Sequence, residues 1–343
     1  MANPVPIVDY QLATSNPQQF AQEVGRAFAE IGFMYLRNPS LSAEETNKAF
    51  KLSAEYFALP LKEKRRINWT FMNQGYSGVS QERLDPNYQK TGGYKETFNI
   101  THWSEPGKCR ECPEVFLRNW DTITTFQQHC QQMCVDILRG VCTFLEISDS
   151  EGGAEFFTAK HDTRQPSSTN LRFLHYPPMK PSAEDQTAMR AGSHADYGSI
   201  SLLFQKEVGG LQVYHHHAAE PRWVDVPPLP NCIVVNIGDT LDYWSNGYLK
   251  STQHRVVFPD MGDKVPVRRY SIAYFCHAND GIPMYPLPSP RVQKRLAQGG
   301  SPGKDGGALA DNVLLTNEYS AMKLYAHNRH RTDAQLPDGA LGV

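Results

Sequence analysis

The chain has 343 residues, of which 40% are hydrophobic and 20% are charged, and its formal net charge is −2 with the 12 histidines counted as neutral. This near-neutral balance disfavours nucleic acid or an anionic membrane as a general partner, because both select strongly basic surfaces. No apolar run approaches about 18 residues and the first 20 residues lack an apolar signal core, so we expect a cytoplasmic protein without a membrane span.

The first part of the chain alternates strand-like runs with amphipathic helices. Asn16 is a suitable cap for the first helix, and Gly32 and Pro60 are suitable stops for the first and second. The predicted elements are strands at 6–8 and 33–36 and helices at 17–31 and 42–59. A chain of this length can bury a large core, as one domain with elaborations or as two.

Residues 65–120 are rich in glycine and proline, so we predict long loops there, which in a compact protein are commonly functional. An apolar stripe predicts a long third helix over 121–145. Four cysteines have a spacing that could suggest zinc, namely Cys109, Cys112, Cys130 and Cys134. Cys130 belongs to the apolar stripe of the helix, however, so packing in the core is the favoured interpretation.

From Asn170 the pattern changes to short strands separated by turns. The predicted strands are 171–176, 199–204, 211–214, 222–226, 232–237, 251–258 and 269–276. Many short strands at this spacing suggest a jelly roll or a sandwich. Residues 281–343 are rich in proline and glycine, and we interpret them as an extension, helical from Asn317 to His327, that packs over the mouth of the barrel.

Two histidines and one aspartate could bind a metal ion. His194 and Asp196 stand two residues apart where a strand gives way to a turn, so their side chains can converge, although a His-x-Asp pair alone is weak evidence. With His254 they form the ligand set that is typical of non-haem Fe(II) oxygenases. Arg269 and Ser271, again at i and i+2, would offer a forked cation and a hydroxyl to a carboxylate.

These residues resemble those of a known family, the Fe(II)/2-oxoglutarate dioxygenases, in the branch that includes isopenicillin N synthase and fungal members such as thymine 7-hydroxylase. The resemblance covers about Pro6 to His277. Further matching stretches are 6–9, 31–33, 171–177, 209–213, 235–239 and 244–247. Several dispersed motifs in the right order are far more specific than one motif.

The resemblance implies a fold that is mainly β with supporting helices, built on a double-stranded β-helix (jelly-roll) core with the metal at its open end. We expect an N-terminal region of helices and loops over 1–169, which packs on the barrel. The catalytic jelly-roll core would occupy 170–280, and a partly helical C-terminal extension 281–343. The three segments would form one compact unit.

The resemblance also implies the cofactors and their binding residues. Fe(II) would be bound by His194, Asp196 and His254. The cosubstrate 2-oxoglutarate would be held at its distal carboxylate by Arg269 and Ser271, and Tyr176 lies where family members often direct a tyrosine hydroxyl at that cosubstrate; O2 is the second cosubstrate. The expected reaction is hydroxylation, or a related C–H oxidation, of a small organic molecule, in fungal secondary metabolism.

Four residues are candidates for a substrate pocket. Phe173, Tyr76 and Tyr274 could line it, although aromatic side chains more often pack in a core. Asn236 is a polar residue in an apolar strand and therefore needs a hydrogen-bond partner, either in the site or in the backbone.

Other polar residues near the motifs have simpler interpretations. Arg268 competes with Arg269 as the anchor, but the i, i+2 relation to Ser271 favours Arg269. Asp239 follows a glycine and is expected to begin a turn or a helix rather than bind iron. Residues 215–217 are three consecutive histidines, which cannot all face one site, so we expect a solvated hairpin end.

Two alternatives stay open at this point. An oxidase similar to isopenicillin N synthase would use the same Arg-x-Ser pair to grip its substrate and would need no 2-oxoglutarate. A catalytically inactive binding protein on the same barrel is the alternative from another class, although a decayed site usually loses one of its ligands. The residues predict a small-molecule substrate and no obligate protein partner, but they do not identify the substrate.

Overall fold

Two β-sheets face each other at the centre of the molecule. The computed structural model describes residues 4–70, 73–101, 112–179, 187–216, 220–258, 267–299, 307 and 313–328. Within these residues the strands are β1 (Ile7–Asp9), β2 (Phe33–Arg37), β3 (Gly75–Ser77), β4 (Glu96–Thr101), β5 (Asn170–Tyr176), β6 (Ala191–His194), β7 (Ile200–Gln205), β8 (Leu211–His215), β9 (Arg222–Asp225), β10 (Cys232–Ile237), β11 (His254–Val256) and β12 (Arg269–Cys276).

The major sheet has eight strands in the order β1-β2-β10-β7-β12-β5-β4-β3, and the minor sheet has four in the order β6-β11-β8-β9. Apart from the parallel pair β1 and β2, the paired strands are antiparallel. Apolar side chains from the inner faces of both sheets form one buried cluster, which includes Leu174, Val213 and Ala273. Two packed antiparallel sheets are the arrangement that the predicted jelly-roll core requires.

Nine helices lie within the described residues. They are α1 (Leu12–Ser15), α2 (Pro17–Glu30), α3 (Ala43–Phe57), α4 (Leu61–Lys64), α5 (Glu114–Leu117), α6 (Trp120–Phe144), α7 (Asp239–Trp244), α8 (Pro290–Ala297) and α9 (Thr316–Asn328), with single 3-10 turns at Asp149–Glu151, Gly153–Glu155 and Thr158–Lys160. Three of them, α2, α3 and α6, pack on the major sheet. The long helix α6 packs on α2 and on the sheet, so its stripe of Ile123, Cys130 and Ile137 is buried. Cys134 is buried as well, whereas Cys109 lies outside the described residues.

The helix boundaries follow from capping chemistry. The Asn16 side chain accepts a hydrogen bond from the Gln19 backbone at the start of α2, and Gly32 follows its end with a φ of +75°. Ser42 and Glu45 form a reciprocal capping box at the start of α3. These contacts satisfy backbone N–H groups that have no partner inside the helix, so the predicted positions of both helices are confirmed.

The region predicted as loops contributes two strands. β3 and β4 extend the major sheet beyond β5, and β1 and β2 extend its other edge, so strands from the first 169 residues belong to the same sheet as the core. Strand β4 contains polar residues, so a search for apolar runs does not predict it. Glu96, for example, is buried because Lys64, Tyr76 and His175 all contact its carboxylate within 2.7 Å. Such a strand is stable only when its polar groups are paired.

Gly25 permits the close approach of α2 to α6. A Cβ atom built on Gly25 would overlap the ring of Phe144. Gly25→Ala is therefore expected to lower the free energy of unfolding by about 1–3 kcal/mol, the usual cost of overpacking a core, despite alanine's better helix propensity. Denaturant unfolding measures this. Gly140→Ala is the matched control, since its Cβ would lie 3.3 Å from the ring of Phe20, farther than a Cβ on Gly25 would lie from the ring of Phe144, and it should cost distinctly less.

Candidate metal centre

His194, Asp196 and His254 converge on one point at the end of the barrel. His194 ends β6 and His254 begins β11, and the two residues are direct partners in the minor sheet. The Asp196 Oδ1 atom lies 3.9 Å from His194 Nε2 and 3.7 Å from His254 Nε2. The three ligand atoms all lie within 4.8 Å of one another. The two distances from Asp196 to the histidines are shorter than twice a first-row metal–ligand bond of about 2.1 Å, so one ion could contact both members of each of these two pairs.

Backbone carbonyls fix the tautomer of both histidines. Nδ1 of His194 donates to the Gly192 carbonyl at 2.8 Å, and Nδ1 of His254 donates to the Thr252 carbonyl at 3.3 Å. In the neutral ring Nε2 then carries the lone pair, and both Nε2 atoms point towards Asp196. The ring of Phe33 packs edge-on against His254 and limits its rotation. The two imidazoles are therefore held ready to act as ligands.

The Asp196 carboxylate is oriented by two hydrogen bonds to its other oxygen. Oδ2 accepts from Asn236 Nδ2 at 2.7 Å and from Ser201 Oγ at 2.6 Å, which leaves Oδ1 directed at the histidines. Burial opposes ionisation, but the two histidines and these donors hold the pKa of Asp196 below its usual value. Burial, with a contribution from His254, lowers the pKa of His194 to about 3. Neutral imidazoles and an ionised carboxylate are the protonation states that bind a cation.

Arg269 lies at the beginning of β12 with its guanidinium inside the barrel and 1% of its surface exposed. Nε donates to the Val208 carbonyl at 3.1 Å, Nη1 to Ser271 Oγ at 3.1 Å and Nη2 to Gln205 Oε1 at 3.0 Å. Every one of these acceptors is neutral. Burial lowers the pKa of Arg269, and no acidic side chain among the described residues offsets its charge. The arrangement leaves a buried cation that an incoming carboxylate would satisfy.

Tyr176 forms a wall beside this cation. It is the last residue of β5 and the direct cross-strand partner of Arg269, and the guanidinium carbon lies 4.7 Å from the centre of its ring. Arg268, the competing anchor, immediately precedes β12 and is exposed. Of the two arginines, Arg269 is thus the buried one, and its role as the anchor stays a prediction.

A cleft next to the three converging side chains has an empty volume of about 610 Å³, counting the part open to solvent. Its lining residues are Trp69, Asn73, Glu82, Arg83, Leu84, Asn170, Arg172, His194, Ala195, Asp196, Tyr197, Phe275, His277 and Leu324. Arg172 and Lys95 both contact the buried carboxylate of Glu82, at 3.4 and 2.7 Å. Leu324 comes from α9, so the C-terminal extension reaches this cleft.

The aromatic residues suggested for the pocket lie elsewhere. Phe173 stacks on Phe116 with ring centres 4.9 Å apart, and the Tyr274 hydroxyl donates to Gln131 of α6, so both face the helices. Side chains alternate along a strand, so the inner face belongs to their neighbours, which include Arg172 and Phe275. Phe173 and Tyr274 therefore pack in the core, which is the more common fate of aromatic side chains.

Tyr76 is also a core residue, since its hydroxyl donates to the buried carboxylate of Glu96 at 2.6 Å. Asn236 is the one member of the predicted pocket set that reaches the centre, where it contacts Asp196 rather than open space. The polar residue in an apolar strand was thus a useful signal, but it indicated a supporting role.

Two further interpretations agree with the structure. Asp239 is the first residue of α7, and its carboxylate pairs with Lys323 of α9 at 2.8 Å. His215 ends β8 and His216 is exposed in the turn that follows, while residue 217 lies outside the described range. Neither Asp239 nor the described histidines of this run belong to the converging cluster.

Arg190 was not anticipated from the sequence. It immediately precedes β6, its side chain is fully buried, and its guanidinium carbon lies 5.8 Å from the ring centre of Tyr176. No pattern marks it, because a single arginine before a short strand normally belongs to the solvent-exposed surface.

Comparisons with known proteins agree with this geometry. Residues 167–278 match the family model of the 2OG-Fe(II) oxygenase superfamily, and residues 5–120 match the model described as non-haem dioxygenase in morphine synthesis N-terminal. The 2-oxoglutarate-dependent dioxygenase htyE of Aspergillus rugulosus is 32% identical over 283 residues, which is 75% of this chain and 81% of that protein. The 2-oxoglutarate-dependent dioxygenase frbA of a Dothideomycetidae species is 30% identical over 298 residues, covering 79% and 85% of the two chains.

Solved structures show the same similarity. The crystal structure of full-length thymine 7-hydroxylase from Neurospora crassa, in complex with alpha-KG and thymine, aligns with a TM-score of 0.75 and 28% identity, over 94% of this chain and 96% of that one.

Among the described residues, none of the helices has the length and hydropathy needed to cross a membrane.

Proposed function

Because this chain belongs to the 2OG-Fe(II) oxygenase superfamily, we propose that His194, Asp196 and His254 bind its Fe(II) and that Arg269 and Ser271 anchor its 2-oxoglutarate. The protein is a 2-oxoglutarate-dependent dioxygenase that oxidises a small organic molecule. One observation carries the residue assignment: three ligand atoms converge within 4.8 Å of one another in the same barrel that buries a guanidinium with no acidic partner among the described residues.

The donor set fits the metal. Two imidazole nitrogens and one carboxylate oxygen on one side of an ion are typical of non-haem Fe(II) sites, and they leave positions for cosubstrate and oxygen. When bound, the iron with 2-oxoglutarate and O2 supplies the oxidising power for C–H oxidation, with succinate and CO2 as coproducts. The protein's own part is to orient His194 and His254 through their Nδ1 hydrogen bonds, and to direct one oxygen of Asp196 inward.

Arg269 provides the anchor at the other end of the cosubstrate. Its guanidinium has five N–H donors, and its hydrogen bonds to Val208, Ser271, Gln205 and the Tyr176 side chain leave at least one for a carboxylate. Ser271 Oγ is already in contact with the guanidinium and is free to donate its own proton to the same carboxylate. We assign Tyr176 to the wall that orients the cosubstrate and excludes water.

Asn236 should act through Asp196. Asn236→Ala removes one of the two donors to Asp196 Oδ2 and lets the carboxylate rotate, so we expect Fe(II) affinity to fall by about 10–100-fold. Competition with a metal-sensitive chelating dye measures the affinity. Asn279→Ala is the matched control, because Asn279 is equally buried but its side chain bonds to the backbone of Asp162; unchanged metal affinity is expected there. Equal losses in both variants would contradict the role of Asn236.

The substrate is proposed to bind in the cleft beside the metal residues. Its walls combine charge, amide groups and aromatic rings, which suits a small polar molecule better than a purely apolar one. The aligned Neurospora crassa structure contains thymine, and the relatives htyE and frbA come from fungi, so we propose a role in fungal small-molecule metabolism. Substrate-stimulated succinate release should be compared for thymine, other polar heterocycles and an apolar control.

Release of labelled CO2 from 2-oxoglutarate tests the cosubstrate directly. We expect release that depends on Fe(II) and O2, and a weak visible charge-transfer band when Fe(II) and 2-oxoglutarate are added without oxygen. An oxidase of the isopenicillin N synthase type would release none, and an inactive binding protein would bind ligand without turnover. Either result would contradict the proposed function.

A further inference from the structure

Two buried arginines share the inner end of the barrel. Arg190 has 0% of its surface exposed and Arg269 has 1%. The guanidinium carbons lie 5.8 and 4.7 Å from the ring centre of the same residue, Tyr176. Burial lowers the pKa of Arg190 to about 10, and the positive charge of Arg269 contributes to this shift. The two cations are thus close enough to repel each other.

Arg190 uses only part of its hydrogen-bonding capacity. Nη2 donates to the Val267 carbonyl at 2.6 Å. Nε and Nη1 are buried and have no hydrogen-bond partner within the described part of the chain. Phe258 supplies another aromatic wall, with its ring centre 5.5 Å from the guanidinium carbon. A buried cation with two open donors costs stability unless something else in the functional state occupies those donors.

The surroundings indicate the chemistry of that occupant. The contacts of both guanidiniums with described residues are backbone carbonyls, neutral side-chain oxygens and aromatic rings, and none is a carboxylate. Because Val267 precedes Arg269 by two residues, the contact of Arg190 with Val267 brings it to the end of β12 where the anchor lies. An anionic group between the two arginines would relieve their repulsion and satisfy the open donors.

We propose that Arg190 is a second anchor for the distal carboxylate of 2-oxoglutarate, sharing it with Arg269. This inference rests on the proposed role of Arg269. One arginine with a serine already suffices to hold a carboxylate, so a second arginine must add something else. The second cation makes the site more selective for a dicarboxylic 2-oxo acid over a 2-oxo acid without the distal carboxylate.

Two ligands separate the distal contact from metal chelation. 2-Oxoglutarate and 2-oxopentanoate share the 2-oxo acid head, but only the first has a distal carboxylate. Kd values come from titrations of the Fe(II)-loaded protein without oxygen, followed by the charge-transfer band. Arg190→Met should raise Kd for 2-oxoglutarate about tenfold or more and leave Kd for 2-oxopentanoate within about twofold of wild type. Arg268→Met, which removes an exposed cation from the same end of β12, is the matched control and should leave both Kd values unchanged.

Thermal unfolding separates this role from a structural one. Methionine keeps an unbranched chain of similar length but removes a buried cation that Arg269 repels, so the ligand-free Arg190→Met protein should unfold at or above the wild-type Tm. The rise in Tm that 2-oxoglutarate produces should be smaller than in wild type. A lower ligand-free Tm with an unchanged Kd for 2-oxoglutarate would mean that the open donors serve the protein itself, and the inference would be wrong.

A second variant keeps the test decisive if Arg190→Met does not fold. Arg190→Lys retains the charge but loses the forked geometry, so Kd for 2-oxoglutarate should rise at least about threefold. Wild-type affinity in this variant would contradict the inference.

Failure of the proposed function would give a different result from failure of this inference. In that case wild-type protein gives no charge-transfer band, whereas failure of this inference alone leaves a wild-type band that weakens in Arg269→Ala and is unaffected in Arg190→Met.

Discussion

Arg269→Ala is expected to raise the apparent KM for 2-oxoglutarate about thirtyfold or more. The guanidinium is buried inside the barrel, and its donors reach Val208, Gln205 and Ser271 without meeting an acid among the described residues. Deleting one partner of a carboxylate–guanidinium pair away from water costs about 2–5 kcal/mol, and about 1.4 kcal/mol corresponds to a factor of ten. Steady-state succinate formation at varied 2-oxoglutarate measures the change.

The neighbouring residue provides the control for this prediction. Arg268 immediately precedes β12 and is exposed, so Arg268→Ala should leave KM close to that of wild type. Fe(II) affinity should hardly change in Arg269→Ala, because the three converging side chains are untouched. Lysine at position 269 should rescue only in part, since it keeps the charge but not the two-pronged geometry. A damaging Arg268→Ala combined with a silent Arg269→Ala would contradict the assignment of the anchor.

His194→Ala is expected to abolish both the charge-transfer band and the turnover of 2-oxoglutarate. The variant removes one of three atoms that converge within 4.8 Å, and Asp196 and His254 alone leave the metal with two protein ligands. Changes in residues that only support a metal ligand already cost about 10–100-fold in affinity or activity, so loss of a ligand should cost more than about 100-fold. Metal content after dialysis and anaerobic absorption spectra measure the two effects.

His216→Ala is the matched control for the loss of an imidazole. His216 is exposed in the turn after β8 and does not belong to the converging cluster. Its replacement should leave metal content, the band and turnover as in wild type. A His194→Ala protein that keeps the band would require a different set of metal ligands. The same experiment on Arg269→Ala should weaken 2-oxoglutarate binding without removing the metal, so the two variants separate the two ends of the site.

Much of the candidate centre could be predicted from the sequence, because its residues lie at strand ends with short, regular spacing. The period of two along a strand brings Arg269 and Ser271 to one face and Arg268 to the other, and this argument needs no knowledge of the partner strands. His194 and Asp196 converge for a similar local reason. Capping chemistry likewise gave the ends of α2 and α3, because the cap and the helix are neighbours in the chain.

The tertiary structure alone decided which face of β5 and β12 borders the cleft. Helices cover the face of Phe173 and Tyr274 and bury both side chains in the core. The neighbouring residues Arg172 and Phe275 lie on the other face and line the cleft. Both faces of these strands are buried, so the alternation carries no contrast between a core side and a solvent side. Sequence reasoning therefore chose Phe173 and Tyr274, whereas their neighbours Arg172 and Phe275 line the cleft.

Long-range pairing explains what the sequence could not reveal about polar residues. Strand β4 contains Glu96, which is stable in the core only because Lys64 and His175 reach it from distant parts of the chain. Arg190 contacts the carbonyl of Val267, 77 residues away, and approaches Arg269 only because the residues that lead into β12 lie beside the residue that precedes β6. The free energy of a buried charge depends on partners brought by the fold, so residue type and spacing determined the converging motif, and the three-dimensional packing determined which charges surround it.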